Sequence, residues 1–441
     1  MAYTTYAQRF GAYLTALERP FKKVSKLEFL QPDGTVAFAL GGMGQKIPIP
    51  GRDTRTFLQS GSLSVSMGNG ARRKASVTLA NPDGAFDYAV NKLWFGSRVR
   101  LLMGLVLPDG SEFYFPQGVF EIVNPSAVYS PTEKTVSLSL SDKWCLFDGT
   151  IGGVLDATYE INNGVNIFSA IRSLLRLSRF DMESTTDVTA MFDSVEPVFT
   201  TFYNGKVYTA AASDGAITTD IPMTNTPYSV RQERGSKMSD LLLALNSMLA
   251  GWIGYDATGA LRLEPSQDDI DDADKAVLYA FTPENSVLSS LSESVQNTSV
   301  VNDLTIVGTG LSDEVVWARA VNVDPASDTN VNMIGRRMLV QENADYWNAD
   351  QCASLARWLL KRKTILHKSV TITAGQMFHL QENCLVSIKR TDKPGSPVEK
   401  HLIDGFTLPI TETGNMSISC TSVNDIPDFL ITTSYSPAIE E

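Results

Sequence analysis

The chain has 441 residues, 43% of them hydrophobic and 20% charged, so it can bury several cores and does not have the composition of a disordered polymer. Lys plus Arg number 37 against 49 Asp plus Glu, and a net charge of −12 argues against wrapping a nucleic-acid backbone, which needs clustered cations to displace counterions. Four scattered cysteines (Cys145, Cys352, Cys384, Cys420) and three histidines speak against a disulfide-stapled scaffold, a zinc ribbon and a metalloenzyme.

The start, MAYTTYAQRFGAYL, has no basic segment ahead of an apolar core, so no signal peptide is expected. The most apolar stretch, Leu241 to Gly254, is broken by Asn246 and Ser247 and is too short to span a bilayer. Tyr6, Phe10, Tyr13, Leu14 and Leu17 recur near a 3.6 period and predict a helix within 3–19, stopped by Pro20. Strands follow. KLEFLQPDGTVAFAL places apolar runs on both sides of Pro32-Asp33-Gly34, a turn that proline and glycine predispose. SLSVSM (62–67) and ASVTLA (75–80) alternate, and further strands are predicted at 97–106, 112–116 and 118–123. In TVSLSLSD (135–142), Val136, Leu138 and Leu140 face one way and serines the other. Strands at this spacing without helices between them predict one antiparallel all-β unit over about 24–150.

The texture then changes. Ile167, Ile171, Leu174 and Leu175 share one helical face, with Arg172, Arg176 and Arg179 on or near the other. Residues 181–230 are polar and turn-rich. Ser236 reads as the N-cap of a second helix striped by Met238, Leu241, Leu242, Leu245, Met248 and Leu249. WIGYDATGALRLEP follows as a hairpin turning at Asp256–Gly259. From about 276 the β pattern resumes, with 299–310 a strong strand and 311–345 a hairpin-like excursion. A third helix over about 349–364 carries Cys352, Leu355, Trp358 and Leu359 and ends in Lys361-Arg362-Lys363, cations suited to the negative end of its dipole. Strands are predicted at 369–374, 384–390, 401–410 and 415–423, and the last dozen residues read as a frayed tail.

Motifs of chemistry are sparse. The nucleophile elbow, the phosphate-binding P-loop and the H-E-x-x-H zinc helix are absent. Gly41-Gly-Met-Gly44 lacks the strand–loop–helix setting of a phosphate cradle and reads as a hairpin tip. Five carboxylates in Asp268–Asp274 suit Ca²⁺, yet lack the glycine and distal Glu of an EF-hand, so a solvated loop is expected. Glu121, Asp142, Asp148, Asp156 and Glu160 leave a glycosidase pair open, against the plainer reading of turn caps and strand faces. The six tryptophans are scattered, so core packing is expected rather than a sugar platform. His367, His379 and His401 lie on or beside different strands. Arg72-Arg73-Lys74 and 361–363 read as solvated faces or subunit contacts. No catalytic, cofactor or metal residue is assigned.

Several segments, taken together and in order, resemble the baseplate or tail hub proteins of tailed bacteriophages and phage-tail-like particles. They are SGSLSVSMGNGARRKASVTLANPDGAFDY (60–88), GVFEIVNPSAVYSPTEKTVSLSLSDKWCLFDGT (118–150) and ATYEINNGVNIFSAIRSLLRLSRF (157–180). SKMSDLLLALNSMLAGWIGYDATGALRLEP (236–265), VVNDLTIVG (300–308) and the closing FHLQENCLVSIKR…LPITETGNMSISCTSV (378–423) complete the series. The resemblance implies an α+β, β-rich fold: two tail-tube-like antiparallel β-barrel domains separated by a mixed α/β middle. The corresponding division is an N-terminal helical arm (1–23), a first tube-like domain (24–150), the middle (151–275), a second tube-like domain with an inserted helix at about 349–364 (276–425), and a tail (426–441).

It further implies a homotrimer whose six tube-like domains adapt a sixfold tube to a threefold tip at the distal end of a virion tail. Its partners would be the tail-tube or distal-tail ring protein, the tape-measure protein and a tip fibre, needle or spike. DNA would pass through the lumen without specific binding, and the acidic balance suits that. The alternatives are a tail-associated peptidoglycan hydrolase scaffold, a distal-tail ring protein and a host-carbohydrate-binding β protein. With about 16 residues after position 425, an appended catalytic domain is not expected.

Overall fold

The computed structural model describes residues 3–31, 34–42, 57–82, 84, 86–87, 97–177, 198–203, 206–211, 225–226, 229–248, 252–264, 277–282, 288–295, 297–310, 313–342, 349–365, 368–410, 414–423 and 429–434. The predicted first helix is α1 (Tyr6–Leu17), opened by a capping box in which Thr5 and Gln8 satisfy each other's backbone N–H.

Seven strands follow: β1 (Lys23–Leu30), β2 (Val36–Gly42), β3 (Phe57–Ser66), β4 (Arg73–Ala80), β5 (Arg98–Val106), β6 (Glu112–Tyr129) and β7 (Lys134–Asp142). They pair in the order β3-β2-β1-β5-β6-β7-β4, and β4 pairs back onto β3, so the hydrogen-bonded ring closes. One pair, β2 with β3, is parallel; the other six are antiparallel. The two strands expected at 112–116 and 118–123 are one, β6. Gln117 is the extra residue of a bulge, because Leu101 faces Gly118 and Leu102 faces Pro116. A bulge bends a strand without ending it, which is why Pro116 and Gly118 read as a break in the sequence.

The middle contains β8 (Tyr159–Ile161), α2 (Ile167–Leu177), β9 (Val198–Tyr203), β10 (Lys206–Ala211), β11 (Val230–Gln232), α3 (Met238–Ser247), β12 (Trp252–Tyr255) and β13 (Leu261–Glu264). The α2 face predicted from its periodicity is buried at Ile167, Ile171, Leu174 and Leu175, packed with Leu241, Leu242 and Leu245 of α3. The N-cap of α3 is Lys237 rather than Ser236. Ser236 is held in the preceding turn, its N–H donating to the Glu233 carbonyl at 3.0 Å, so the helix starts one residue later. The 256–259 turn forms as expected. Asp256 accepts from the Thr258 and Ala260 N–H groups, and Gly259 takes the left-handed φ of 84° that closes it. Leu249, most of 181–230 and the acidic run 268–274 lie outside the described residues.

The remainder is β14 (Val277–Phe281), β15 (Leu288–Val295), β16 (Asp303–Thr309), β17 (Val315–Asn322), β18 (Met338–Glu342), α4 (Ala349–Ile365), β19 (Lys368–Ala374), β20 (Leu385–Lys389), β21 (Val398–Pro409), β22 (Met416–Ser422) and β23 (Phe429–Thr433). Six of these strands run β14-β20-β21-β22-β19-β15. The inserted segment is larger than the predicted helix. It carries a separate four-stranded sheet, β18-β16-β17-β23, whose Leu304, Ile306, Ala318 and Ala320 bury against Cys352, Leu355, Ala356 and Leu360 of α4. Part of the expected C-terminal tail is therefore structured, since β23 pairs with β17 from Phe429 to Thr433.

The two large β sets are not separate bodies. Ser62–Ser66 of β3 pair antiparallel with Gly405–Pro409 of β21, joining both sets in one 13-stranded sheet. A single core runs through them, from Leu63, Val77 and Phe120 to Ile372, Phe406 and Ile418.

Candidate functional site

Among the described residues, one concentration of buried polar chemistry lies at the junction of the two β sets with the middle. Arg73 stands on the inward face of β4, in period with Ala75, Val77 and Leu79, and is 1% exposed. A buried guanidinium needs full compensation. It gets an ion pair with Glu382, in the loop before β20, and donates from Nη1 to the Gln117 carbonyl at 3.0 Å. The bulge in β6 is what presents Gln117, whose side-chain amide in turn donates to the Phe378 carbonyl at 2.8 Å. First and second β sets are thus tied through charge.

Asp142, at the inward end of β7, anchors the other side. Its carboxylate accepts from the backbone N–H groups of Arg72 (2.8 Å), Arg73 (2.9 Å) and Trp144 (3.2 Å). Burial pushes its pKa up to about 6, against the pull of those three donors. Arg72 lies flat against β12 and donates from Nε to the Gly68 carbonyl at 2.9 Å. A Cβ on Gly254 would stand 2.4 Å from that Nε, so only glycine lets the guanidinium cross the strand. The Gly68–Gly70 turn reaches the middle through Gly70 N–H to the Ile253 carbonyl and Ile253 N–H to Asn69 Oδ1, both 2.9 Å.

Helix α1 closes the junction from outside. Tyr13 is fully buried, its hydroxyl accepting from Phe378 N–H at 2.9 Å and lying 2.9 Å from His379 Nδ1. Phe10, Phe113 and Tyr279 meet this pair edge-on, Phe10 also stacks on Tyr13, and Phe115 lies tilted against both rings. Desolvation lowers the His379 pKa to about 4, so the imidazole is neutral at neutral pH.

The other residues weighed from the sequence are dispersed. Arg72 and Arg73, expected on a solvated face, are buried, and only Lys74 of that triplet is exposed. Lys361 is buried as well. Glu121 is buried in an ion pair with Arg98 at 2.7 Å, Asp148 caps the Thr150 N–H, and Asp156 and Glu160 are exposed. His401 is buried on β21, 3.6 Å from Glu399, while His367 lies outside the described residues. Trp144 is buried, Trp252 half-buried and Trp317 exposed; Trp94, Trp347, the Trp358 side chain and Gly44 lie outside the described residues. Among the described residues, no three His, Cys, Asp or Glu side chains gather to hold a metal, and no helix is long and apolar enough to cross a membrane. The arrangement is one for holding geometry: three chain regions locked by charge, bulge and aromatic packing. Arg73 and Asp142 share the parity of the inward residues of β4 and β7, yet both were expected on solvated faces or at turns, and Glu382 and Gln117 carried no signal.

No protein-family model matches the chain, and no curated protein matches it in sequence. Solved structures match it in fold. A tail protein from Neisseria meningitidis MC58 aligns over 92% of this chain and 98% of its own, with a TM-score of 0.58 and 11% identity. The 43 kDa tail protein of prophage MuSo2 from Shewanella oneidensis aligns over 90% and 98%, with a TM-score of 0.51 and 13% identity. The chain has the fold of these tail proteins over nearly its whole length.

Proposed function

We propose that the chain is a structural protein of the tail of a phage or phage-derived particle, and that it is the hub at the distal end. There, three copies would present six tube-like β units to a sixfold tube or distal-tail ring, and their threefold side to a fibre, needle or spike. The observation that carries this reading is the β3–β21 pairing. It sets two β sets edge to edge in one chain, over one core, with the Arg73–Glu382 pair fixing their relation. An adaptor between sixfold and threefold symmetry needs two such units per chain. The fold shared with tail proteins points the same way. The lumen of the ring would form part of the path by which DNA leaves the particle, beside the tape-measure protein.

Solution mass and negative-stain imaging of the purified protein test it. A ring of about 145 kDa, three times the 48.2 kDa chain, is expected. A hexameric ring would move the assignment to the distal-tail ring. A monomer with affinity for sugars would move it to a surface-binding protein, and release of fragments from purified cell walls would make it an enzyme.

A further inference from the structure

The small sheet β18-β16-β17-β23 is separate from the 13-stranded one, and α4 packs against one of its two faces. A sheet covered by a helix on one side ordinarily turns polar side chains to water on the other. This one turns apolar ones. Met338 and Val340 on β18 are each 49% exposed, Trp317 and Val315 on β17 are 36% and 69% exposed, and Val307 on β16 is half-buried. All five have the parity opposite to Ile306, Ala318 and Leu339, which pack toward α4. The register aligns them: Val307 faces Trp317, Thr305 faces Val340, and Thr309 faces Val315. They form a diagonal stripe from Met338 to Val315, and Leu430 on β23 is a further exposed apolar side chain of the same face. Six residue steps of about 3.3 Å along the strands and two strand spacings of about 4.8 Å across them make the stripe about 22 Å long.

Two guanidiniums stand beside the Met338 end. Arg319 and Arg336 both close on Asp303, with Arg319 Nη2 2.7 Å from its carboxylate. The Asp303 side chain is fully buried, whereas the two arginines are 37% and 53% exposed. Two cations share one hidden anion, so the face presents a surplus positive charge there. Glu342, the exposed acid of this face, lies opposite Val307, away from the arginines. We infer that this face seats an amphipathic helix of a protein partner, apolar along one side and acidic at the end that meets Arg319 and Arg336. The seat belongs to the small sheet alone and does not depend on the ring proposed above.

An apolar stripe rimmed by polar side chains marks a docking surface, and its shape selects the occupant. A length of about 22 Å matches about 15 helical residues, whose apolar positions three and four apart lie along one line. A partner strand would instead add at a sheet edge through main-chain bonds and leave this face bare. The sheet already takes α4 on its other side, so a helix here completes a three-layer stack. Charge sets the direction, because carboxylates and the negative end of a helix dipole both favour the arginine end. A second copy docking by the same face would add a second surplus cation rather than neutralise the first. The stripe, about 22 Å by 10 Å, also falls well short of the about 800 Å² per partner of a stable protein dimer.

The test uses the full chain and a fluorescein-labelled synthetic helix of about 15 Leu, Ala and Glu residues, with leucines three and four apart and glutamates toward the C-terminus. One comparison peptide has Lys for Glu, and another has the leucines scrambled. Anisotropy is measured at roughly 150 mM salt. The acidic helix should bind wild type and the two comparison peptides should not. Binding should weaken at least about tenfold in Val340→Asp, which buries a charge under the helix, and about fivefold in Arg336→Gln, which leaves Arg319 on Asp303. Val398→Asp, an exposed position in the 13-stranded sheet, should bind as wild type does. Failure of the acidic helix to bind, equal binding of the Lys peptide, or unchanged binding to Val340→Asp overturns the helix seat. If Val340→Asp does not fold, Val315→Asp at the other end of the stripe is measured in its place. A solution mass that drops from wild type to Val340→Asp puts a second copy on this face and overturns the helix as occupant. A ring by mass without helix binding overturns the seat and leaves the proposed function standing, and a monomer that binds the helix does the reverse.

Discussion

The Arg73–Glu382 pair makes the sharpest prediction about what holds the two β sets in register. Both side chains are almost completely buried, at 1% and 4% exposure, so neither charge can be rescued by water. Arg73→Met leaves the Glu382 carboxylate buried without its cation, and it frees the Gln117 carbonyl that Nη1 covers at 3.0 Å. Breaking one side of such a pair costs about 3–5 kcal/mol. Glu382→Gln keeps the volume and one acceptor, so it should cost less, about 2–3 kcal/mol. The double variant should be more stable than Arg73→Met alone, because it removes the stranded charge. Urea unfolding of wild type, both singles and the double gives the cycle, with an expected coupling of at least about 2 kcal/mol. Costs that simply add, with the double weaker than either single by their sum, would refute the view that charge ties the two sets.

Three further outcomes follow from the same geometry. Tyr13→Phe strands the Phe378 N–H and His379 Nδ1 in a dry pocket and should cost about 1–3 kcal/mol, loosening α1 first; faster amide exchange at residues 6–17 would report it. His379 and His401 titrate near 4 when folded, both lowered by burial, against about 6.5 unfolded, so the unfolded chain binds more protons between those values. Stability is therefore full above pH 6.5 and falls as pH drops toward 4, by roughly 3 kcal/mol for each histidine, and His379→Asn should flatten the His379 share of an unfolding-versus-pH curve. Gly61→Ala would place a Cβ 2.3 Å from the Ser76 carbonyl oxygen, so β3 and β4 must separate there; loss of soluble, cooperatively unfolding protein is expected, and an unchanged melting curve would contradict the register.

Much of the secondary structure was legible because its causes are local. The alternation of SLSVS, TVSLSLSD and SVTITA sets which side chains share a strand face before any partner is known. The 3.6 period of Ile167, Ile171, Leu174 and Leu175 names the buried side of α2, and Asp256 with Gly259 specifies a tight turn by their own chemistry. The same alternation puts Arg73 beside Ala75 and Val77, yet a basic triplet reads as solvated until a buried acid is found to meet it. That acid lies 309 residues away in sequence.

What the sequence by itself determined was therefore the strands, their two-faced character and the presence of two β-rich stretches around a helical middle. What only the tertiary structure decided were the pairings between distant strands. Nothing local says that Ser64 will face Thr407, that β23 will complete a sheet begun at β16, or that Gln117 will bulge so as to meet Arg73. Each short serine pattern fixes only its own strand's faces, and a strand's pattern is indifferent to its neighbour. Which strands end up neighbours comes from register, and register is set by the shared core beneath the sheet.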